Sequence, residues 1–204
     1  MKKYPALAVV EFCDIPTGVF ATDAMLKKAP IAFVKCGSIS RGRYLTIVGG
    51  TTASVEEAFA EALAVGSDGV IDSILLADVH PRVFEAVAGE RRVDGEGAIA
   101  ILETDTVASN VRAAEVALKA TTVGLIEIRL ADTGLSGKGL SVYQGELFDI
   151  EEAVRVARSY LDEAGITVRH RIIAQPHESL LAQIARSTWF GSQTVLELDG
   201  EAAD

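Results

Sequence analysis

The sequence is short of the residue types that most site chemistry requires. Cys13 and Cys36 are the only two cysteines in 204 residues; they make no disulfide framework and suit a reducing compartment. No C-x-x-C or H-x-x-x-H spacing joins them or the three histidines, so no zinc site is expected. Cations are also scarce, with 19 Lys and Arg against 29 Asp and Glu. A net charge of -10 argues against a nucleic-acid partner, because neutralising phosphates takes clustered basic residues. The chain is 49% hydrophobic with a mean hydropathy of +0.28, yet no apolar run approaches the ~18 residues of a membrane span. The opening Met1-Lys2-Lys3-Tyr4-Pro5 is basic, but no export-type cleavage site follows. Glu11 and Asp14 interrupt the apolar stretch, which reads as a strand. The expectation is a cytoplasmic protein with no membrane partner, its surplus of Ala and Val spent on tight packing and subunit interfaces.

What is present is repetition. Ala6-Leu7-Ala8-Val9-Val10-Glu11 recurs as Ala98-Ile99-Ala100-Ile101-Leu102-Glu103, and Asp23 to Lys27 recurs as Glu115 to Lys119. Both steps are 92 residues. The step grows to 95 for Gly42 on Gly137 and for Val55-Glu56-Glu57-Ala58 on Ile150-Glu151-Glu152-Ala153. It reaches 97 for Leu76 to His80 on Ile173 to His177. Small loop insertions account for such increments, so the chain holds two copies of one fold in the same order, unpermuted. The seam is a charged, Gly-flanked linker at Gly89-Glu90-Arg91-Arg92-Val93-Asp94-Gly95. Two domains, 1–92 and 96–187, and a C-terminal tail, 188–204, follow. The tail has a possible short strand at Thr194–Leu198, and its last residues are expected to be disordered.

One copy predicts a strand at about 6–12, a helix from Thr17 to Lys28, and strands near 31–38 and 43–49. A second helix capped by Ser54, a strand near 70–77 and a short helix after Pro81 complete it. Val55, Ala58, Phe59, Ala62 and Leu63 mark one face of the second helix; Ile150, Ala153, Val154, Ala157 and Leu161 mark its repeat. The order β-α-β-β-α-β-α is an α/β (α+β) sandwich of the ferredoxin-like kind with an appended helix.

Candidate chemistry thins out on inspection. Gly134-Leu135-Ser136-Gly137-Lys138-Gly139 looks like a phosphate loop, but Asp132 stands where the first Gly is needed and Gly139 where a hydroxyl would hold magnesium. It reads as a tight turn between strands. His80 and His177 occupy equivalent positions, which duplication explains better than catalysis. His170 lies in Arg169-His170-Arg171 without an acid nearby in sequence. Glu56-Glu57 and Glu151-Glu152 are placed in the first turns of helices, where acids complement the macrodipole. Cys13 and Cys36 are expected as small buried hydrophobes. No nucleophile, base and orienting group can be assembled from spacing, so no catalytic residues and no enzyme are expected.

Together with the repeat, Asp23-Ala24-Met25-Leu26-Lys27, Ile39-Ser40-Arg41-Gly42-Arg43, the segment Asp72 to Pro81 and Gln175-Pro176-His177-Glu178 resemble the tandem-domain shell proteins of bacterial microcompartments. The likeness is greatest to the unpermuted, propanediol-utilisation type and spans Ala6 to Ala185. It implies a homotrimer whose six domains imitate a hexamer. That tile would lie beside other shell hexamers and pentamers, with a central pore for small metabolites. By the same resemblance, Ser38, Ile39, Ser40, Arg41 and Gly42 would alternate around the pore with Thr133, Gly134, Leu135, Ser136 and Gly137. Arg41 facing the lumen would form a cationic collar; Ser40 and Ser136 facing it would leave a neutral polar lining. Some members carry a Cys at the position of Ser40, shared by three chains around an iron–sulfur cluster. Serine is a poor ligand beside thiolate, so neither metal nor cofactor is expected here. Lys27 and Lys119 match the family's tile-edge lysine. Asp78 and Gln175 stand in place of an edge arginine, with His80 and His177 beside them.

Two other readings compete: a trimeric ferredoxin-like sensor binding small molecules between subunits, and an enzyme with a site at the domain interface. The sensor predicts a long ligand loop, which neither copy has.

Overall fold

β1 (Ala6–Phe12) is apolar at every position but Glu11, and all seven residues are buried. A strand apolar on both faces needs cover on both sides. Ala6, Ala8, Val10 and Phe12 meet α1 (Ile15–Lys28) and α2 (Thr52–Gly66), while Leu7 and Val9 lie toward α3 (Pro81–Ala88). β2 (Phe33–Ser38), β3 (Tyr44–Gly50) and β4 (Val70–Leu76) complete an antiparallel sheet in the order β2-β3-β1-β4. The second copy repeats it with β5 (Ala98–Thr104), α4 (Val107–Ala120), β6 (Gly124–Leu130), β7 (Gly139–Gly145), α5 (Leu147–Glu163), β8 (Val168–Ile173) and α6 (Glu178–Arg186), in the sheet order β6-β7-β5-β8. This computed structural model describes residues 4–93 and 96–199. Asp94 and Gly95 of the expected linker and the end of the tail lie outside the described residues. Among the described residues no helix is long and apolar enough to cross a membrane.

The register fixes which residues correspond. Glu11 pairs with Asp72 across β1 and β4, and Glu103 pairs with Arg169 across β5 and β8. The three-residue insertion falls in the second hairpin loop, residues 131–138 against 39–43. The two-residue insertion lengthens α5 to 17 residues against 15 in α2.

The two copies share one core. Leu7, Val9, Val79 and Val83 of the first are continuous with Val107, Val111 and Leu118 of the second. Arg82 reinforces the join. Its Nε donates to the Leu125 carbonyl (2.8 Å) and its Nη2 to the Ile126 carbonyl (3.0 Å), at a bulge of the edge strand β6. The carbonyl of Ile126 also accepts from the Arg92 amide, so the bulge leaves that oxygen satisfied. Tyr4, Phe33 and Phe84 stack at centroid distances of 5.1–5.3 Å where α3 crosses the first sheet.

Several local expectations are corrected. α1 begins at Ile15 rather than Thr17, because the Asp14 carboxylate accepts from the Thr17 amide and caps it. Thr51, not Ser54, caps α2; Ser54 supplies the amide that the Thr51 hydroxyl accepts. With these starts, Glu56-Glu57 and Glu151-Glu152 sit a turn further in than the first turn, and Glu152 pairs with Arg155. Cys13 and Cys36 are exposed, one in the turn before α1 and the other on the edge strand β2. Thr194–Leu198 forms no strand; Gln183 Nε2 instead donates to the Thr194 carbonyl.

Candidate functional site: the hairpin loops and the domain junction

The loop between β2 and β3 forms a 3-10 turn, Ser40–Gly42, with Arg41 at φ 69° and Gly42 at φ 71°. A left-handed arginine is costly unless its surroundings hold it there. Here both flanks are tied: the Ile39 amide donates to the Arg43 carbonyl, and Ser40 is bound from both sides. Its amide and its hydroxyl donate to the Ala131 carbonyl (3.0 and 2.6 Å), while the Gly137 amide donates to its Oγ (2.7 Å). The hairpin loops of the two copies therefore touch, and the Ser40 hydroxyl is spent between them.

The second loop turns at Gly134 (φ 93°), Ser136 (φ 51°) and Gly137 (φ 84°). Arg129 braces it, bonding the Asp132 carboxylate and the Thr133 carbonyl. Ser38, Arg41, Gly42, Thr133, Gly134 and Ser136 are exposed; Ile39 and Ser40 are half-buried; Leu135 and Gly137 are buried. Among the residues expected to line an opening, the freely presented side chains are Ser38, Arg41, Thr133 and Ser136. Beside the loops, a cleft of about 390 Å³ between β2 and β6 is lined by mixed charge, including Lys35, Arg91 and Glu127.

The junction behind the loops is built on carboxylates. Glu11 has no exposed side-chain surface; its Oε1 meets Arg43 Nη1 at 2.6 Å and its Oε2 accepts from the Val107 amide at 2.8 Å. Burial raises its pKa, partly opposed by the Val107 and Arg43 bonds. Asp72 accepts from the Ser109 amide (3.0 Å) and Ser109 Oγ (2.5 Å) and contacts the Thr106 hydroxyl. Thr106 makes no cap of its own. The first copy thus caps the second copy's helix α4. None of these side chains stood out in the sequence as a site, although an acid recurring inside an apolar strand, Glu11 and Glu103, was a readable signal.

Lys119, Asp78 and His80 also meet at this junction. Lys119 Nζ donates to the Asp78 carbonyl (2.6 Å) and pairs with Glu115 (2.7 Å), whose carboxylate accepts from the His80 amide. Their counterparts Lys27, Gln175 and His177 are all exposed, and Lys27 pairs along its own helix with Asp23. Both histidines cap helices through Nδ1, His80 at the Arg82 amide and His177 at the Ser179 amide.

The BMC domain family matches residues 6–82 and again 98–176. The chain is 35% identical over 179 residues to the bacterial microcompartment shell protein PduT of Citrobacter freundii, across 88% of this chain and 97% of that protein. A microcompartment protein of solved structure from Desulfitobacterium hafniense superposes with a TM-score of 0.77 at 29% identity, covering 87% of this chain and 98% of its own. A fused permuted hexameric shell protein of the RMM microcompartment shares the fold at a TM-score of 0.57 and 21% identity, over 78% of this chain and 85% of its own.

Proposed function

The chain belongs to the BMC domain family and is a structural component of a bacterial microcompartment shell, and we propose that three copies close into a pseudohexagonal tile around a central pore. One observation carries this reading. Val107, Val111 and Leu118 on α4 are 0%, 0% and 6% exposed because the first copy covers them. Their counterparts on α1, Ile15, Val19 and Leu26, are 41%, 50% and 44% exposed. The same apolar helix face is used once inside the chain and left open once. A head-to-tail contact that repeats the internal junction covers it, and rings arise when such contacts close.

In that ring six hairpin loops gather at the axis. Arg41 from each first loop and Ser136 from each second loop line the opening alternately, and the cationic collar favours small anionic metabolites. Ser40, held between the loops, contributes its fold rather than its hydroxyl. Lys27, Gln175 and His177 fall at the contact between chains, where Lys119, Asp78 and His80 stand within one. The tile meets neighbouring shell hexamers and pentamers along its edges and needs no catalytic group. Light scattering on the purified chain tests the ring: three chains of 21.6 kDa give about 65 kDa, with flat hexagonal particles by electron microscopy. A monomer, or globular particles that never tile, overturns the reading.

A further inference from the structure

The two copies differ in charge at two positions that face each other across a junction. Inside the chain, the β4 position opposite Glu11 is Asp72, and the residue preceding α4 is Thr106. At the equivalent positions of the opposite domains the roles are exchanged. The β8 position opposite Glu103 is Arg169, and the residue preceding α1 is Asp14. A carboxylate sits at the start of both helices, supplied to α4 by the other domain and to α1 by its own cap. Asp14 Oδ1 and Oδ2 accept from the Thr17 amide and hydroxyl, each at 2.9 Å. Asp72 Oδ2 takes the matching pair of bonds from Ser109.

Resting on the ring reading, we propose that the contact between chains is specified by an ion pair of Arg169 in one chain with Asp14 in the next chain. An aspartate at position 169 would bring a second carboxylate against Asp14; an arginine complements it. The rest of the contact is prepared in the same way. Lys138 holds Glu103 Oε1 at 2.8 Å, as Arg43 holds Glu11 Oε1 at 2.6 Å. The other oxygen of Glu103 then serves the Ile15 amide of the next chain, as that of Glu11 serves the Val107 amide. In the single chain Arg169 is 61% exposed, its carboxylate neighbours no nearer than 3.4 Å at Asp105 and 3.7 Å at Glu103. It is free to re-pair. The exposed face of Ile15, Val19 and Leu26 supplies the apolar part, and the occupant is a second copy of this chain. The exchange also guards the register: a first domain docked where a second belongs would set Asp72 against Asp14.

Sedimentation across a dilution series of the full chain tests this, using Arg169→Asp, Asp14→Asn and the double variant Asp14→Thr/Arg169→Asp. The double variant rewrites the contact between chains in the residues of the internal junction. Arg169→Asp is expected to raise the trimer dissociation constant at least tenfold, Asp14→Asn to raise it less while keeping a capping oxygen, and the double variant to restore it. Far-ultraviolet circular dichroism verifies that each variant is folded. A wild-type trimer whose dissociation is unchanged by Arg169→Asp overturns the ion pair while leaving the ring intact. So does a loss that the double variant fails to repair. A wild-type chain that never forms a trimer overturns the ring itself.

Discussion

Glu11 shows how one residue can serve two domains at once. It is inaccessible, paired to Arg43, and caps α4 of the other copy. Removing one member of a buried pair leaves the other charge without compensation, which costs more than the pair gains. Glu11→Ala is expected to destabilise the chain by about 3 kcal/mol in urea unfolding, and Glu11→Gln by less, since the amide can still accept from Val107. His170 acts through its proton. Burial, with Arg158 and Arg171 nearby, lowers its pKa, so the fold favours the neutral ring. The stability it contributes is therefore complete above pH 6.5, its ordinary value, and is lost as pH falls from there through the lowered folded value. The urea midpoint should drop between pH 7.5 and 5.5, and His170→Gln should flatten that drop. An unchanged slope would assign the acid sensitivity to other groups.

Between elements, the two copies have exchanged volume rather than lost it. In the first, Gly18 on α1 leaves room for Tyr44 on β3, and a Cβ at Gly18 would lie 2.5 Å from that ring. In the second, the helix carries Asn110 and the strand Gly139, where a Cβ would lie 2.4 Å from the Asn110 side chain. Gly139→Ala is expected to cost about 1–3 kcal/mol by overpacking, read as a lower urea midpoint. The small residue has moved across the interface, so repeat matching by identity misses it. The elements themselves were legible because apolar period and duplication agree: a strand and a helix face seen in one copy are checked in the other. What stayed hidden is whatever the junction decides. Asp14 reads as an ordinary loop acid until its carboxylate is seen on the Thr17 amide, and Cys36 reads as buried until β2 proves to be an edge strand. The contacts of Asp72 with Ser109, 37 residues away, and of Ser40 with Ala131 and Gly137, more than 90 residues away, leave no local pattern.

At the scale of the whole molecule, the structure is one junction made and one junction offered. The made one joins Leu7, Val9 and Val83 to Val107, Val111 and Leu118 in a common core and is sealed by Glu11, Asp72 and Arg82. The offered one is the α1 face at one end and the β5–β8 edge at the other. The polypeptide running through 89–97 makes the first kind of junction intramolecular, so it faces its partner at a fixed, high local concentration however dilute the protein is. In a closed ring of three chains, half of the six seams are therefore immune to dilution. Breakdown of the tile follows the third power of chain concentration, where a ring of six separate domains would follow the sixth. How readily such a tile comes apart is then set by the seams between chains, where Asp14, Arg169 and the helix between Ile15 and Leu26 lie, while the internal seam holds the fold.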